Sequence, residues 1–216
     1  MPKDLRRYLE HTLLGADVTP VRIEVHCRQA AELGLYAVCI APVFVALAKE
    51  CLRGTPVRVV TVSGFPLGAN TSGVKAAEAT QGVADGADEV DMVMAIGLAL
   101  GGAFDAVEAD VRFVRYAIPE AVLKVIIETA YFDRHGIKRA AEAAVRAGAN
   151  FVKTSTGFGC RGATIDDVKL LCATVSGRAE VKASGGIRTA AAAIEMIEAG
   201  ATRIGTSRGV ELVSGA

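Results

Sequence analysis

The sequence predicts a closed (β/α)8 TIM barrel, built as a single domain over residues 1–216. Three observations predict it. Eight short runs are rich in Val and Ile, alanine-rich stretches of helical periodicity lie between them, and one glycine-centred phrase recurs at three of the junctions.

The runs span residues 9–13, 36–40, 57–62, 89–93, 123–127, 151–154, 180–183 and 203–205. Runs this short and this apolar read as strands buried on both faces, the mark of a parallel sheet covered by helices. Helices are expected over residues 73–85, 106–116, 133–147, 164–175 and 189–199, each with apolar residues at helical spacing. The recurring phrase is Asp85-Gly86-Ala87, Ala147-Gly148-Ala149 and Ala199-Gly200-Ala201. Glycine just past a helix takes the left-handed conformation cheaply, so the phrase marks successive helix-to-strand joints. An open doubly wound sheet is the competing architecture. It normally advertises a nucleotide through G-x-G-x-x-G or G-x-x-x-x-G-K-[ST], and neither occurs here. In a barrel, the place to look for chemistry is the C-terminal strand ends and the loops that follow them.

Composition narrows the partners. Hydrophobic residues make up 51% and charged ones 22%, which fits a folded domain rather than a disordered chain. The 24 basic and 24 acidic residues cancel, so no general field favours nucleic acid or an anionic membrane, and any phosphate must be held locally. The longest nearly uncharged apolar stretch, residues 92–104, is well short of the roughly 20 residues of a membrane span. The N-terminus turns polar at Glu10 and His11 and lacks the apolar core of a secretory signal, so the cytoplasm is the expected compartment. Five cysteines with no C-x-x-C pair read as reduced thiols. His11, His26 and His135 have no metal-ligand spacing, and no G-x-S-x-G elbow occurs. Neither a metal nor a cofactor is expected.

Charged residues on strands are costly unless paired or used. Val90-Asp91, Val152-Lys153 and Val181-Lys182 repeat one phase, which turns the valine outward and the charge into the barrel. Lys124 and Glu128 flank the fifth run and add another cation and anion. Such a cluster is either a structural ion-pair network or a device for Schiff-base chemistry. A free lysine, with a pKa of about 10.4, is too rarely neutral to be a fast nucleophile, and a second cation about 4 Å away would lower that pKa by about three units. Two lysines therefore favour the chemical reading, with Asp91 relaying protons through water.

The seventh run leads into Ser184-Gly185-Gly186 and the eighth into Gly205-Thr206-Ser207-Arg208. Glycines there either permit tight turns or expose N–H groups to a phosphate, as loops seven and eight of barrels often do.

With Lys153 in Phe151-Val152-Lys153-Thr154-Ser155-Thr156-Gly157-Phe158-Gly159 and Lys182 in Val181-Lys182-Ala183-Ser184-Gly185-Gly186-Ile187-Arg188, the chain resembles the deoxyribose-phosphate aldolases. The match continues through Glu89-Val90-Asp91-Met92, Leu123-Lys124-Val125-Ile126-Ile127-Glu128-Thr129, Gly64-Phe65-Pro66-Leu67-Gly68 and His11-Thr12-Leu13-Leu14, over nearly the whole length. The resemblance implies a class I aldolase that needs no metal and cleaves 2-deoxy-D-ribose 5-phosphate reversibly to D-glyceraldehyde 3-phosphate and acetaldehyde, through an imine that leaves a two-carbon enamine. It implies Lys153 as nucleophile, Lys182 as the cation tuning it, Asp91 as proton carrier and Lys124 as the group ordering Asp91. It places the phosphate on Gly157, Ser184, Gly185, Gly186, Gly205, Thr206 and Ser207. Phosphosugar and aldehyde are the implied partners, with a homodimer as the expected assembly. The chain departs from the family pattern at Glu10, where Asp is usual, at Ala41, where Asn is common, and at Arg208, where a small residue is usual. Two rivals remain: a phosphosugar isomerase using Asp91 and Glu128 as acid and base, and a non-catalytic phosphosugar-binding barrel.

Overall fold

The computed structural model describes residues 4–214, and in it eight parallel strands close on themselves in chain order. The strands are β1 (Leu9–Leu13), β2 (Ala37–Ile40), β3 (Arg58–Ser63), β4 (Glu89–Val93), β5 (Val122–Ile126), β6 (Phe151–Lys153), β7 (Glu180–Ser184) and β8 (Arg203–Thr206). All eight expected runs are strands, displaced by no more than a residue or two. The first and last are the pair that seals the barrel, with Leu9 opposite Ile204, Glu10 opposite Gly205 and His11 opposite Thr206.

The helices are α1 (Pro20–Leu33), α2 (Val45–Cys51), α3 (Ser72–Ala84), α4 (Ile96–Leu100), α5 (Phe104–Ala117), α6 (Arg134–Arg146), α7 (Ile165–Val175), α8 (Ala190–Glu198) and α9 (Gly209–Ser214). Several expected helix starts turn out to be caps. The side chains of Asp133, Thr164 and Thr189 accept from Gly136, Asp167 and Ala192 N–H groups, satisfying first-turn donors that no carbonyl can reach. At the three repeated joints, Gly86, Gly148 and Gly200 have φ of 110°, 91° and 113°, a backbone conformation that L side chains rarely adopt. The apolar stretch 92–104 divides into a strand end, α4 and the start of α5, and among the described residues no helix is long and apolar enough to cross a membrane.

The core has two parts with different chemistry. The larger lies between strands and helices and includes Val90, Val152 and Val181, so the valines do face outward. Inside the barrel, Ala37, Cys39, Val60 and Val62 form a small apolar cluster on the β2–β3 side. Much of the rest of the lumen is charged, because the residues in phase with these include Glu10 on β1, Glu89 and Asp91 on β4, Lys124 on β5, Lys153 on β6 and Lys182 on β7. One side of the barrel is thus oil and the other an ion-pair network.

Candidate active site

Strand register assembles the network. Asp91 on β4 lies opposite Lys124 on β5, and Lys153 on β6 opposite Lys182 on β7, all on inward positions. Lys124 and Lys182 are fully buried, as are Asp91, Glu10 and Glu89, while Lys153 is 3% exposed. Asp91 is the hub. Its Oδ1 accepts from Lys124 Nζ at 2.8 Å, and its Oδ2 accepts from Lys153 Nζ at 2.8 Å and from Lys182 Nζ at 2.5 Å. The carboxyl is fully desolvated, which opposes ionisation, but the three ammonium groups outweigh this and hold it well below the usual carboxylate range.

The two outer lysines are better supplied with counter-charge than Lys153. Lys124 Nζ lies 2.6 Å from Glu89 Oε2 and 3.4 Å from Glu10 Oε1, besides its bond to Asp91. Lys182 also pairs with Glu10 Oε2. Burial disfavours both ammonium groups, yet Asp91 with Glu10 and, for Lys124, Glu89 more than compensates, so both are held charged above the ordinary lysine value. Lys153 has a single carboxylate oxygen, which it shares with Lys182. Three lysines face Glu10, Glu89 and Asp91, so the set is balanced in formal charge, as an enclosed group of ions must nearly be.

Glu89 went unnoticed as a member of this site in the sequence, although it sits two residues before Asp91 and so shares its face of the strand. Its Oε1 accepts from Tyr36 Oη at 2.6 Å and lies 3.3 Å from Arg58 Nη1, and Arg203 lies 3.4 Å above the centre of the Tyr36 ring. Glu10 keeps the carboxylate that its position calls for, and its reach carries it onto Lys182. Glu128 does not join the cluster. It follows β5 with φ of 52° and bonds Thr156 on the loop after β6, so Glu10 and Glu89 are the additional anions instead.

Above the network lies a cavity of about 310 Å³. Lys153 lies at its base, and every residue expected to hold phosphate lines it: Gly157, Ser184, Gly185, Gly186, Gly205, Thr206 and Ser207. Their parts differ. Gly185, at φ of 85°, touches Gly162 and Gly157, so the loops after β6 and β7 pack backbone to backbone. At Gly162, which the sequence reading overlooked, a Cβ would lie 2.1 Å from the Gly185 carbonyl oxygen, so there is no room for a side chain. Gly205 makes room for something else, since a Cβ there would lie 3.2 Å from Lys182 Cε and 2.9 Å from Ser184 Cβ. Ser184 and Thr206 hydroxyls are engaged with the carbonyls of Ser155 and Ile187, bracing the loops. Arg208 does not line the cavity and pairs with Glu211 at 3.2 Å, and Ala41 lies off its wall as well. The side-chain cation at the loop end of the cavity is Arg188.

Glu10, Cys39 and Asp91 bring three potential metal-ligating atoms within 4.8 Å of one another. Lys182 already occupies both carboxylates, and burial pushes the Cys39 thiol up to about 11, so the donor set is poor for a cation.

Comparison with known proteins follows the same lines. The model of the DeoC/LacD family aldolases matches residues 8–214. The chain belongs to that family. A deoxyribose-phosphate aldolase from Deinococcus radiodurans is 58% identical over 211 residues, covering 98% of this chain and 96% of the relative. One from Thermus thermophilus is 53% identical over 98% of this chain and 96% of its own length. Among solved structures, QR15, an aldolase, superposes with a TM-score of 0.95 at 43% identity, covering 99% of this chain and 96% of that one. A deoxyribose phosphate aldolase from Aeropyrum pernix, described as a tetramer, gives 0.92 at 33% identity, covering 99% and 91%. The protein is thus an aldolase, a carbon–carbon lyase of the DeoC/LacD family, and its charged lumen and glycine-walled cavity are read in that light.

Proposed function

We propose that this aldolase cleaves 2-deoxy-D-ribose 5-phosphate reversibly to D-glyceraldehyde 3-phosphate and acetaldehyde through an imine at Lys153. One observation carries the proposal: Lys153 is the lysine of the three with least counter-charge, and it alone reaches the cavity. Lys124 and Lys182, held charged by two or three carboxylates each, keep the amine of Lys153 company without competing for the substrate.

The neutral amine attacks the C1 aldehyde, and water leaves as the protonated imine forms. The C3 hydroxyl then gives up its proton, the C2–C3 bond breaks, and its electron pair moves into the imine to give the enamine while the C3 aldehyde departs. Protonation at C2 and hydrolysis release acetaldehyde and restore the lysine. Once Lys153 is an imine, Asp91 Oδ2 loses one of its two donors in part and exchanges protons, through water, with the C3 hydroxyl and C2. Lys182 lowers the cost of deprotonating Lys153 by repulsion, and Lys124 fixes Asp91 from the opposite side. The phosphate sits against Gly157, Ser184, Gly185, Gly186, Gly205, Thr206 and Ser207, with Arg188 as the charged side chain nearest to it.

The isomerase alternative lacks support, since Glu128, the second group its acid–base pair needs, is bonded to Thr156 and does not line the cavity. Acetaldehyde with borohydride should attach an ethyl group at Lys153, located by peptide mapping. An active enzyme that is never modified would point to the isomerase, and an inactive, unmodified protein to the binding barrel. Cytoplasmic location and assembly as a homodimer complete the proposal, and light scattering of the purified protein reads the second directly.

A further inference from the structure

Glu128 is the charged residue of the segment at the end of β5 that the reaction does not use, and its setting is unusual. It has φ of 52°, a left-handed conformation that strains the backbone of a non-glycine residue. Its side chain is 1% exposed and turned away from the lysine cluster. One carboxylate oxygen, Oε2, accepts both from Thr156 N at 3.1 Å and from Thr156 Oγ1, and Thr156 Oγ1 in turn accepts from Phe158 N at 3.0 Å. The other side of the carboxylate lies against Gly159, where a Cβ would meet Cδ and Oε1 at 3.1 Å. Thr156, Gly157 and Phe158 all line the cavity. The neighbouring segment is locked as well, because Thr129 Oγ1 donates to Asp167 Oδ2 at 2.9 Å and Arg161 binds both Asp167 and the Thr129 carbonyl.

We propose that Glu128 is a positioning residue for phosphate recognition: a buried carboxylate that grips the loop after β6 from behind and sets where the Gly157 backbone meets the substrate's phosphate. The loop is Gly-rich and has no helix or strand; the bond from Phe158 N to Thr156 Oγ1 closes its tip locally, but that tip must also be tied to the barrel beneath Gly157. A carboxylate taking two bonds from one residue makes that tie, and it acts from outside the cavity without touching substrate. Lys153 lies on the strand before this loop and is held by its bond to Asp91, so loosening the loop should cost phosphate binding and spare the amine.

The inference rests on the aldolase reading above, and its test separates the two. Wild-type enzyme is assayed on 2-deoxyribose 5-phosphate and on unphosphorylated 2-deoxyribose, with inorganic phosphate as competing inhibitor. Failure of wild type on the phosphorylated sugar would sink the functional proposal. Given that activity, Glu128→Ala should raise KM for the phosphosugar and the inhibition constant of phosphate by about tenfold or more. Its kcat/KM on unphosphorylated 2-deoxyribose and its borohydride trapping at Lys153 should stay within about twofold. Glu128→Gln, which keeps an acceptor oxygen, should recover most of the loss. Equal losses on both sugars, or no change in phosphate inhibition, would overturn the positioning role. Should Glu128→Ala fail to fold, Thr156→Val and Glu128→Gln carry the same comparison, with Thr156→Val expected to reproduce the selective loss.

Discussion

Replacing Lys182 with leucine tests the electrostatic core of the mechanism. Lys153 and Lys182 both bond Asp91 Oδ2, at 2.8 and 2.5 Å, so their nitrogens can be no farther apart than the two bonds laid end to end, about 5.3 Å. At about 5 Å and an effective dielectric near 20, two unit charges repel by about 3 kcal/mol, equivalent to about two pH units. The substitution removes that repulsion and leaves Lys153 with Asp91 Oδ2 to itself, so both effects favour its charged form. The pH at which the imine forms should therefore rise by about two units, and activity near pH 7.5 should fall about a hundredfold while recovering part of the loss toward pH 9.5. The assay is borohydride-trapped imine as a function of pH, read by mass, beside the steady-state rate. Thermal unfolding should show that the variant folds, because Glu10 retains Lys124 at 3.4 Å and Arg203 at 3.6 Å. A profile of unchanged shape, merely scaled down, would refute the reasoning and reduce Lys182 to a structural filler.

Other outcomes follow from the same geometry. Asp91→Asn leaves three ammonium groups without their common anion, so stability should drop by about 3–5 kcal/mol in chemical denaturation, and an unchanged midpoint would show the network to be looser than drawn. Gly205→Ala should displace the Lys182 stem that passes 3.2 Å from the new methyl group, with activity falling more than tenfold and thermal stability changing less than in Asp91→Asn; retained activity would contradict that close approach. His11 and His26 stack at 3.8 Å between ring centres outside the barrel, and burial pushes His26 down to about 3. A histidine whose folded value lies below its unfolded 6.5 favours unfolding as pH falls through 6.5, because the unfolded chain takes up the proton first. By pH 5 this amounts to about 2 kcal/mol, so Tm should be about 4–8 °C lower than at pH 7.5, and His26→Gln should flatten that dependence. Asp91 and Glu89 titrate below their ordinary 3.8 and 4.5, so the stability they give is complete above about pH 4.5 and fails only as the pH falls through their lowered values. A Tm flat from pH 7.5 to 5 would count against the buried histidine pair.

Much of this protein is legible from local pattern. Strand and helix periodicity, the glycine joints and the valine-then-charge phase of Asp91, Lys153 and Lys182 are each carried by a few adjacent residues, and they suffice to close the barrel on paper and to point three charges inward. The glycine loops that line the cavity were equally visible, since a positive φ or a close backbone approach restricts the residue type at the position itself. What stayed hidden is who pairs with whom. Glu10 and Lys182 are 172 positions apart and meet because β1 closes onto β8, which sets β7 within reach of β1. Glu89 shares a strand face with Asp91, yet its tie to Lys124 depends on the β4–β5 register. Glu128 looked like one more lumen charge until a left-handed backbone turned it toward Thr156. The sequence by itself determined the architecture and the residue types of the chemistry, because those are written in short-range spacing. Only the tertiary structure decided which lysine is left with least counter-charge, because Coulomb energy depends on distances that closure of the barrel creates.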